Sequence, residues 1–416
     1  MKKEQYDVLI IGGGAAGMMA AISAGRAGAS VLLLERNEKL GKKVYITGKG
    51  RCNVTNAAER DSFFKNIMRN PRFFFAAYSR FDNNALMDLI EQAGCPLKVE
   101  RGDRVFPTSD KASDITRALE GEMRRCGAEV RLQARVEKLL TEEGRAAGVQ
   151  LENGEQIRSG SVILATGGLS YPTTGSTGDG HRLAKETGHG LTACLPSLVP
   201  INTVETWPST LSGLTLKNVR LSAKGQDGKQ IYSDQGEMMF THFGVTGPLV
   251  LSLSAVMPED ARGVRLEIDL KPALTHKALD DRLLRDIQAN PRASLASIVY
   301  GLAPRALGQE ILRIAGFSPE TKASEWRSAD RKALVSLLKA LPLTAAGLRG
   351  YNEAVVTRGG VRVKDVNPST MESRRLPGLF FAGELIDIDA LTGGFNLQLA
   401  FSTGYLAGEK AAEKTQ

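Results

Sequence analysis

Residues 8–35, VLIIGGGAAGMMAAISAGRAGASVLLLE, constrain the fold more than any other stretch of this chain. The apolar run Val8 to Ile11 meets Gly12-Gly13-Gly14-Ala15-Ala16-Gly17, a helix face of small residues follows, and a second apolar run, Val31 to Leu34, ends on Glu35. That order predicts strand, tight turn, helix and parallel strand, the opening unit of a Rossmann-type α/β domain. The glycines serve different ends. Gly12 permits the turn, Gly14 lets backbone approach a pyrophosphate, and Gly17 lets the helix lie close on the sheet. The N–H groups of Ala15 and Ala16 and the positive end of the helix dipole then suit an anion. Glu35, about 20 residues after the turn, suits ribose hydroxyls better than a 2′-phosphate.

A chain of 416 residues, 42% hydrophobic and 24% charged, has room for two or three domains and a large core. Cys52, Cys95, Cys126 and Cys194 are widely spaced with no C-x-x-C pair, which argues against a zinc site, a dithiol centre and a disulfide framework, so no metal is expected. The short lead MKKEQYD leaves no room for a signal peptide, and no apolar run approaches the ~20 residues of a membrane span, so a cytoplasmic protein is expected. The 54 Lys and Arg exceed the 46 Asp and Glu to give +8, which favours anionic partners without choosing between a nucleotide, an acidic metabolite and RNA; solubility explains it equally well.

Arg36 leads into KLGKKVYITGKGRCNVTN, Lys39 to Asn56, where Gly41, Gly48 and Gly50 allow close backbone approach and Lys42, Lys43, Lys49 and Arg51 add charge beside Cys52 and Asn53. Phe73, Phe74, Tyr78 and Phe81 fall at helical spacing, which favours a core helix over a base-stacking surface, and two further helices end at Gly94 and Gly127. From Ala128 to Ser170 the pattern is β, with a hairpin at Asn153-Gly154 and Val136 among the candidate cofactor contacts. The strand Ser161 to Ala165 runs into Thr166-Gly167-Gly168, and the loop GSTGDG, which contains Asp179, opens another helix. Glycines at the C-terminal end of a parallel strand mark where ligands lie in open α/β sheets. Residues 193–272 then read as a β-rich insert and 273–345 as a helical insert, between ends spanning 1–192 and 346–416. In the last part, a strand from Leu379 ends on Gly383-Glu384, Asp387 and Asp389 follow, and a small-residue helix begins after Gly393-Gly394 near Asn396, Leu397 and Gln398.

Five pieces, GGGAAG with Glu35, TGKGRCNVTN, LATGGLSYPTTGSTGDG, THFGVTGP at Thr241 to Pro248, and FAGELIDIDALTGGFNLQLAFSTG, together resemble the bacterial flavoprotein family described as predicted NAD(P)/FAD-dependent oxidoreductases. The resemblance implies an FAD-binding domain built from both chain ends, with a β-barrel-like insert and a helical insert. Its ATGG, TGDG and Gly-Glu pieces are also similar to the fumarate reductase class, which implies hydride transfer through flavin N5 to an activated C=C bond. Family members are named as ribosomal RNA dihydrouridine synthases, bile-acid enone reductases and aminoacetone oxidases. The expectations are non-covalent FAD across both ends, NAD(P)H as a transient reductant with no second nucleotide motif of its own, and either uracil in 23S ribosomal RNA or a small enone as substrate. The resemblance is also compatible with a flavin oxidase or a non-catalytic flavin-binding protein.

Reduction of a conjugated C=C bond needs a proton donor and something cationic or hydrogen-bonding at the carbonyl. Cys52, Arg51, His242 and Lys43 are the candidates, against simpler roles in packing and loop support. His181, His189 and His276 fall on helix-like stretches, where a surface position is expected.

Overall fold

Parallel strands covered on both faces need continuous apolar runs. Gln5–Ile11, Val31–Leu34 and Gln156–Leu164 supply them, with Val8 to Ile10 and Val162 to Leu164 wholly buried. In the computed structural model, which describes residues 5–414, these strands form the middle of a seven-stranded sheet. Its order is Glu129–Arg131, Val31–Leu34, Gln5–Ile11, Gln156–Leu164, Arg145–Leu151 and Val136–Glu142, and Leu379–Phe381 also pairs along Gln156–Leu164. The hairpin between Arg145–Leu151 and Gln156–Leu164 turns at Asn153 and Gly154, the latter at φ 84°. Register matters most at the carboxyl ends: Ile11 lies opposite Leu34 and Leu164, and Leu164 opposite Phe381, all in parallel. Gly12, Glu35, Ala165-Thr166 and Ala382-Gly383 therefore leave the sheet along one edge.

The helix Ala15–Arg26 follows the first strand, and the C-terminal helix Phe395–Glu413 packs against it. Glycine makes this approach possible. A Cβ on Gly404 would lie 2.2 Å from the carbonyl oxygen of Ala16, and one on Gly408 the same distance from that of Ala20. Both contacts advance by four residues, so the two helices run in the same direction. Beside them, the helix Pro71–Arg80 buries Phe73, Phe74 and Tyr78, and Phe63 bridges Tyr78 and Phe395 at centroid distances of 5.0 and 4.9 Å. The aromatic run thus builds core, apart from Phe75, which is 47% exposed under the guanidinium of Arg60.

The chain leaves this unit through Leu191–Ser197 and returns through Val356–Val361, paired antiparallel with it. Residues Leu198–Arg349 form a second compact unit. Its closed barrel takes Ile201–Thr203, Gly244–Thr246, Gln230–Thr241, Thr215–Lys224, Arg265–Asp269 and Leu341–Leu348 in that order. The helices His276–Ala289, Leu295–Tyr300, Arg305–Ala315 and Ser328–Lys339 share one hydrophobic core with the barrel.

The expected division into inserts at 193–272 and 273–345 therefore changes. The barrel closes only with a strand that follows the helices, and a common core joins both parts. Two local readings change as well. Pro248–Val256, inside the expected β run, is a helix whose serines at 252 and 254 alternate with apolar residues as in a strand. Within the expected helical insert, the run Ser297 to Gly316 reads as one helix by its apolar spacing but is broken in two around Gly301 to Pro304, where proline cannot continue the first helix and stands at the N-cap of the second. Among the described residues, no helix is long and apolar enough to cross a membrane.

Gly404→Val forces a side chain into the backbone of Ala16, and should cost about 3 kcal/mol, the upper end of overpacking penalties, read as a lower urea midpoint. Gly121→Ala, on the helix Ala112–Arg125 where a Cβ meets nothing within 4 Å, should leave the midpoint unchanged or raise it.

Candidate functional site

Two helix N-termini open on the glycine-lined edge of the sheet. Gly14 caps Ala15–Arg26 and Gly394 caps Phe395–Glu413, and neither receives a side-chain hydrogen bond. The N–H groups of the first turns are left for other acceptors, with the positive dipole ends behind them. The contact pairs Gly404 with Ala16 and Gly408 with Ala20 set the offset between the helices. By that offset the C-terminal helix starts eight residues ahead of the first helix, a displacement of about 12 Å at 1.5 Å per residue. Close packing fixes the turns between them. A Cβ on Gly17 would lie 1.8 Å from Gly12 O, and one on Gly12 2.5 Å from Ala165 O, whereas a Cβ on Gly14 or Gly50 meets nothing within 4 Å.

Glu35 is buried beside the first turn. Its Oε2 accepts from Gly13 N at 2.7 Å, and its Oε1 accepts from Asn37 N and Nδ2. A carboxylate has about four acceptor positions, so one remains. Arg36 pairs with Asp179 at 3.0 Å and donates to Thr177, while Arg135 reaches the same carboxylate at 3.3 Å. Arg36 and Asp179 thus satisfy each other. Lys42 bonds Glu38 and Asn37, and Val136 is buried at the start of its strand.

In the loop Thr47 to Asn53 the backbone is left-handed at Gly48, Lys49, Gly50 and Cys52, an unfavourable conformation for the two non-glycine residues. Arg51 is committed to Glu100 and Asp110 and lies over the ring of Phe106, so its guanidinium braces the loop. Cys52 is wholly buried, and burial pushes its thiol up to about 12, which makes it a poor nucleophile and a poor proton donor at neutral pH. His242 sits on an exposed turn of the second unit with its edge on Phe243.

At the other end, Gln398 accepts from Thr55 and donates to Phe81 O and Ser402, and Asn396 holds the backbone of Ala390 and Leu391. Both side chains serve the loop, leaving the N–H groups of the first helical turn, including that of Leu397, to face outward. Gly167 and Gly168 bring their loop against Ser176 and Thr357. His181 and His189 are buried rather than on the surface, at 6% and 3% exposure, and burial lowers both imidazoles. His189 lies past the end of the helix Asp179–Glu186 and bonds Ser373 across the fold, a partner that the local sequence could not reveal.

The family model for the HI0933-like protein Rossmann domain matches residues 6–410. The chain belongs to the HI0933-like family. It is 33% identical over 412 residues to the 3-dehydro-bile acid delta(4,6)-reductase of Clostridium scindens, covering 97% of this chain and 98% of that protein. It is 30% identical over 412 residues to the ribosomal RNA dihydrouridine synthase of Escherichia coli, with 98% of each covered. Among solved structures, 3-ketosteroid-delta4-(5alpha)-dehydrogenase from Rhodococcus jostii superposes with a TM-score of 0.52 at 16% identity, over 99% of this chain and 97% of that one, which shows a shared fold. This HI0933-like protein is a flavoprotein oxidoreductase by family, and the flavoprotein fold supports FAD as its cofactor.

The residues of the HI0933-like protein fit such a group. Buried Asn53 Oδ1, Thr166 Oγ1 and Asp387 Oδ1 lack hydrogen-bond partners in the protein, and the open side of Gly14 faces away from packed atoms. Between the two helix ends lies a network that the sequence did not announce. Lys43 Nζ donates to Glu384 Oε2 at 2.6 Å and to Ser170 Oγ, Ser170 Oγ and Thr357 N donate to Glu384 Oε1, and Thr357 Oγ1 accepts from the N–H groups of Leu169 and Ser170. Burial alone would raise the Glu384 carboxyl, but Lys43, Ser170 and the Thr357 N–H hold it below its ordinary range. Nothing in the local sequence singles out Ser170 or Thr357, since their meeting is set by tertiary pairing. An open cleft of about 430 Å³ lies beside this network, lined by Leu169, Pro172, Ser176, Thr177, Tyr351 and Asn352.

Gly14→Val should give a folded but colourless protein, because a Cβ there meets no protein atom within 4 Å and the added side chain enters the space expected for the pyrophosphate. Absorbance after gel filtration, with thermal unfolding as the control, reads this directly.

Proposed function

We propose that this protein is an FAD-dependent reductase that uses NAD(P)H to saturate a C=C bond conjugated to a carbonyl, with uracil in 23S ribosomal RNA as the favoured substrate. The observation that carries the reading is the pair of full-length relatives. One is named a delta(4,6)-reductase and the other a dihydrouridine synthase, and both names describe addition of hydrogen across such a bond. The net charge of +8 is compatible with an RNA substrate as with other anions. The cleft beside Ser170, with Leu169, Pro172 and Tyr351 on its walls, supports a second reading in which a small enone is reduced.

FAD would be held by the N–H groups of Ala15, Ala16 and Gly17 at its pyrophosphate, by Glu35 at a ribose, and by Asn53, Thr166, Asp387 and the turn at Gly394 along the rest. Bound there, the flavin supplies hydride. The first turn of Phe395–Glu413 stabilises negative charge placed before it. Lys43 is held by Ser170 and Glu384 with one N–H to spare, and offers the cationic hydrogen bond that a polarised carbonyl needs. Arg51 and Cys52 leave this role to Lys43, the first because carboxylates occupy it and the second because burial silences it.

The test is anaerobic reduction of the purified protein by NADH or NADPH, followed by mixing with 23S rRNA fragments or with a steroid enone. Reoxidation by RNA alone supports the favoured substrate, by enone alone the second reading, and by neither overturns both. Lys43→Met should slow reoxidation about 100-fold with flavin retained, the usual loss for one preorganised donor, whereas Arg51→Gln should stay within several-fold of the parent.

A further inference from the structure

Phe75 is the one aromatic residue of its helix that the core does not take up. Pro71–Arg80 turns Phe73, Phe74 and Tyr78 inward and leaves Phe75 47% exposed. The Arg60 guanidinium lies 4.1 Å from the centre of its ring, and the ring of Phe64 supports it at 5.6 Å. A single exposed apolar side chain is ordinary. What distinguishes this one is the charge around it. Arg60, Lys65, Arg72, Arg101 and Arg104 are all exposed, and none has a carboxylate partner among the described residues. The exposed carboxylates of the same segments are Glu59, Asp61 and Asp103, and the first two stand at the N-terminus of Arg60–Lys65, where they complement its dipole. Arg51 and Lys98, by contrast, are neutralised by Glu100 and Asp110, and Arg69 turns to Asp387 and Asp389.

Hydrogen bonds bring these segments side by side within the cofactor unit. The hairpin of Leu97–Glu100 and Arg104–Pro107 carries Arg101 and Arg104 at its tip. Ala57 N donates to Asp103 O at 2.7 Å and Asn56 Nδ2 donates to Gly102 O at 3.0 Å, so the tip lies against the turn that leads into Arg60. Arg72 stands one turn before Phe75 on its helix. Asn56 Nδ2 also donates to Gly393 O at 3.0 Å, and a Cβ on Gly394 would lie 2.2 Å from Thr55 O. The surface therefore borders the N-terminus of Phe395–Glu413, one end of the proposed cofactor cradle.

Unpaired cations suit phosphates, and an open ring beside them suits a base. An acidic protein would need the charges alone, and a membrane surface would need a wider apolar face. A uracil whose C=C bond is reduced must leave its stack, so the strand is single at that point and its neighbouring bases are free to stack on aromatic rings or guanidinium planes. We propose that Arg60, Arg72, Phe75 and the hairpin tip with Arg101 and Arg104 form the docking surface for the single-stranded RNA that flanks the target uracil. The proposal rests on the reading of RNA as the substrate. The stack of Arg60 on Phe75 receives an unpaired base, and the other arginines take phosphates.

The experiment is binding of a short fluorescein-labelled oligouridylate to the oxidised holoprotein, followed by anisotropy across a salt series. Phe75→Ala should weaken binding about 10-fold, the loss of one base–aromatic stack, while Phe75→Trp retains it. Arg72→Gln combined with Arg101→Gln should flatten the plot of log Kd against log salt by about 1.4, as for two phosphate contacts on a single strand. Arg362→Gln combined with Lys364→Gln removes the same exposed charge from the loop after Val356–Val361, and should leave binding at the wild-type level. Melting curves establish that each variant is folded. No binding by wild type, binding that Phe75→Ala leaves unchanged, equal losses in the two double variants, or equal affinity for the same strand in a duplex with oligoadenylate overturns the docking surface. Binding that depends on Phe75 without any reoxidation by 23S rRNA fragments overturns the substrate and leaves the surface standing. Reoxidation by those fragments that Phe75→Ala does not slow overturns the surface and leaves the substrate standing.

Discussion

The cofactor unit depends on one contact, the backbone-to-backbone packing of two parallel helices drawn from opposite parts of the chain. Gly404 and Gly408 let Phe395–Glu413 lie against the carbonyl oxygens of Ala16 and Ala20, closer than any side chain permits. That contact places two positive helix ends on the same side of the sheet, staggered by roughly two turns. A compact anion would engage one of them. A ligand with a phosphate at one end and an electron-accepting ring at the other engages both, and the strand register then brings Glu35, Thr166 and Gly383 into line between them.

What was legible in the sequence follows from the same close packing. Buried parallel strands leave unbroken apolar runs, and a turn whose Gly12 carbonyl oxygen lies 1.8 Å from the Cβ position of residue 17 leaves glycine as the residue that fits there. Such constraints act on single residues and can be read one residue at a time. The barrel strand Leu341–Leu348 could not be read so, because its partners Ile201–Thr203 and Arg265–Asp269 lie far earlier in the chain and determine its state. Pro248–Val256 carries its polar residues, Ser252 and Ser254, at a two-residue spacing that does not mark a helix. His181 and His189 are covered by segments remote in sequence. Polar residues of the glycine loops proved the hardest to assign, because a loop with a specific shape needs its own braces. Arg51, Asn396 and Gln398 fill that need with the same chemistry that a ligand contact would use.

The two acidic sites of the C-terminal loop show how environment separates like residues. Glu384 is surrounded by donors from Lys43, Ser170 and Thr357 and is held ionised. Asp389, five residues on, has cations nearby but no donor within reach, and burial favours its neutral form. One anchors a network and the other is left outside any. The difference lies in hydrogen-bond geometry, since both are carboxyl groups in the same fold.

The adjacent strands Leu191–Ser197 and Val356–Val361, through which the chain departs and returns, bear on how the molecule assembles. The central sheet cannot be completed until Leu379–Phe381 is available to pair with Gln156–Leu164, more than two hundred residues earlier. Closing so long a loop is entropically slow and leaves a strand edge open meanwhile. The second unit has its own core within 198–349, so its collapse draws residues 197 and 350 together and shortens the effective loop before the last strand arrives. During synthesis, this order shelters the incomplete sheet for the least time and makes the inserted barrel a folding aid for the unit that contains it.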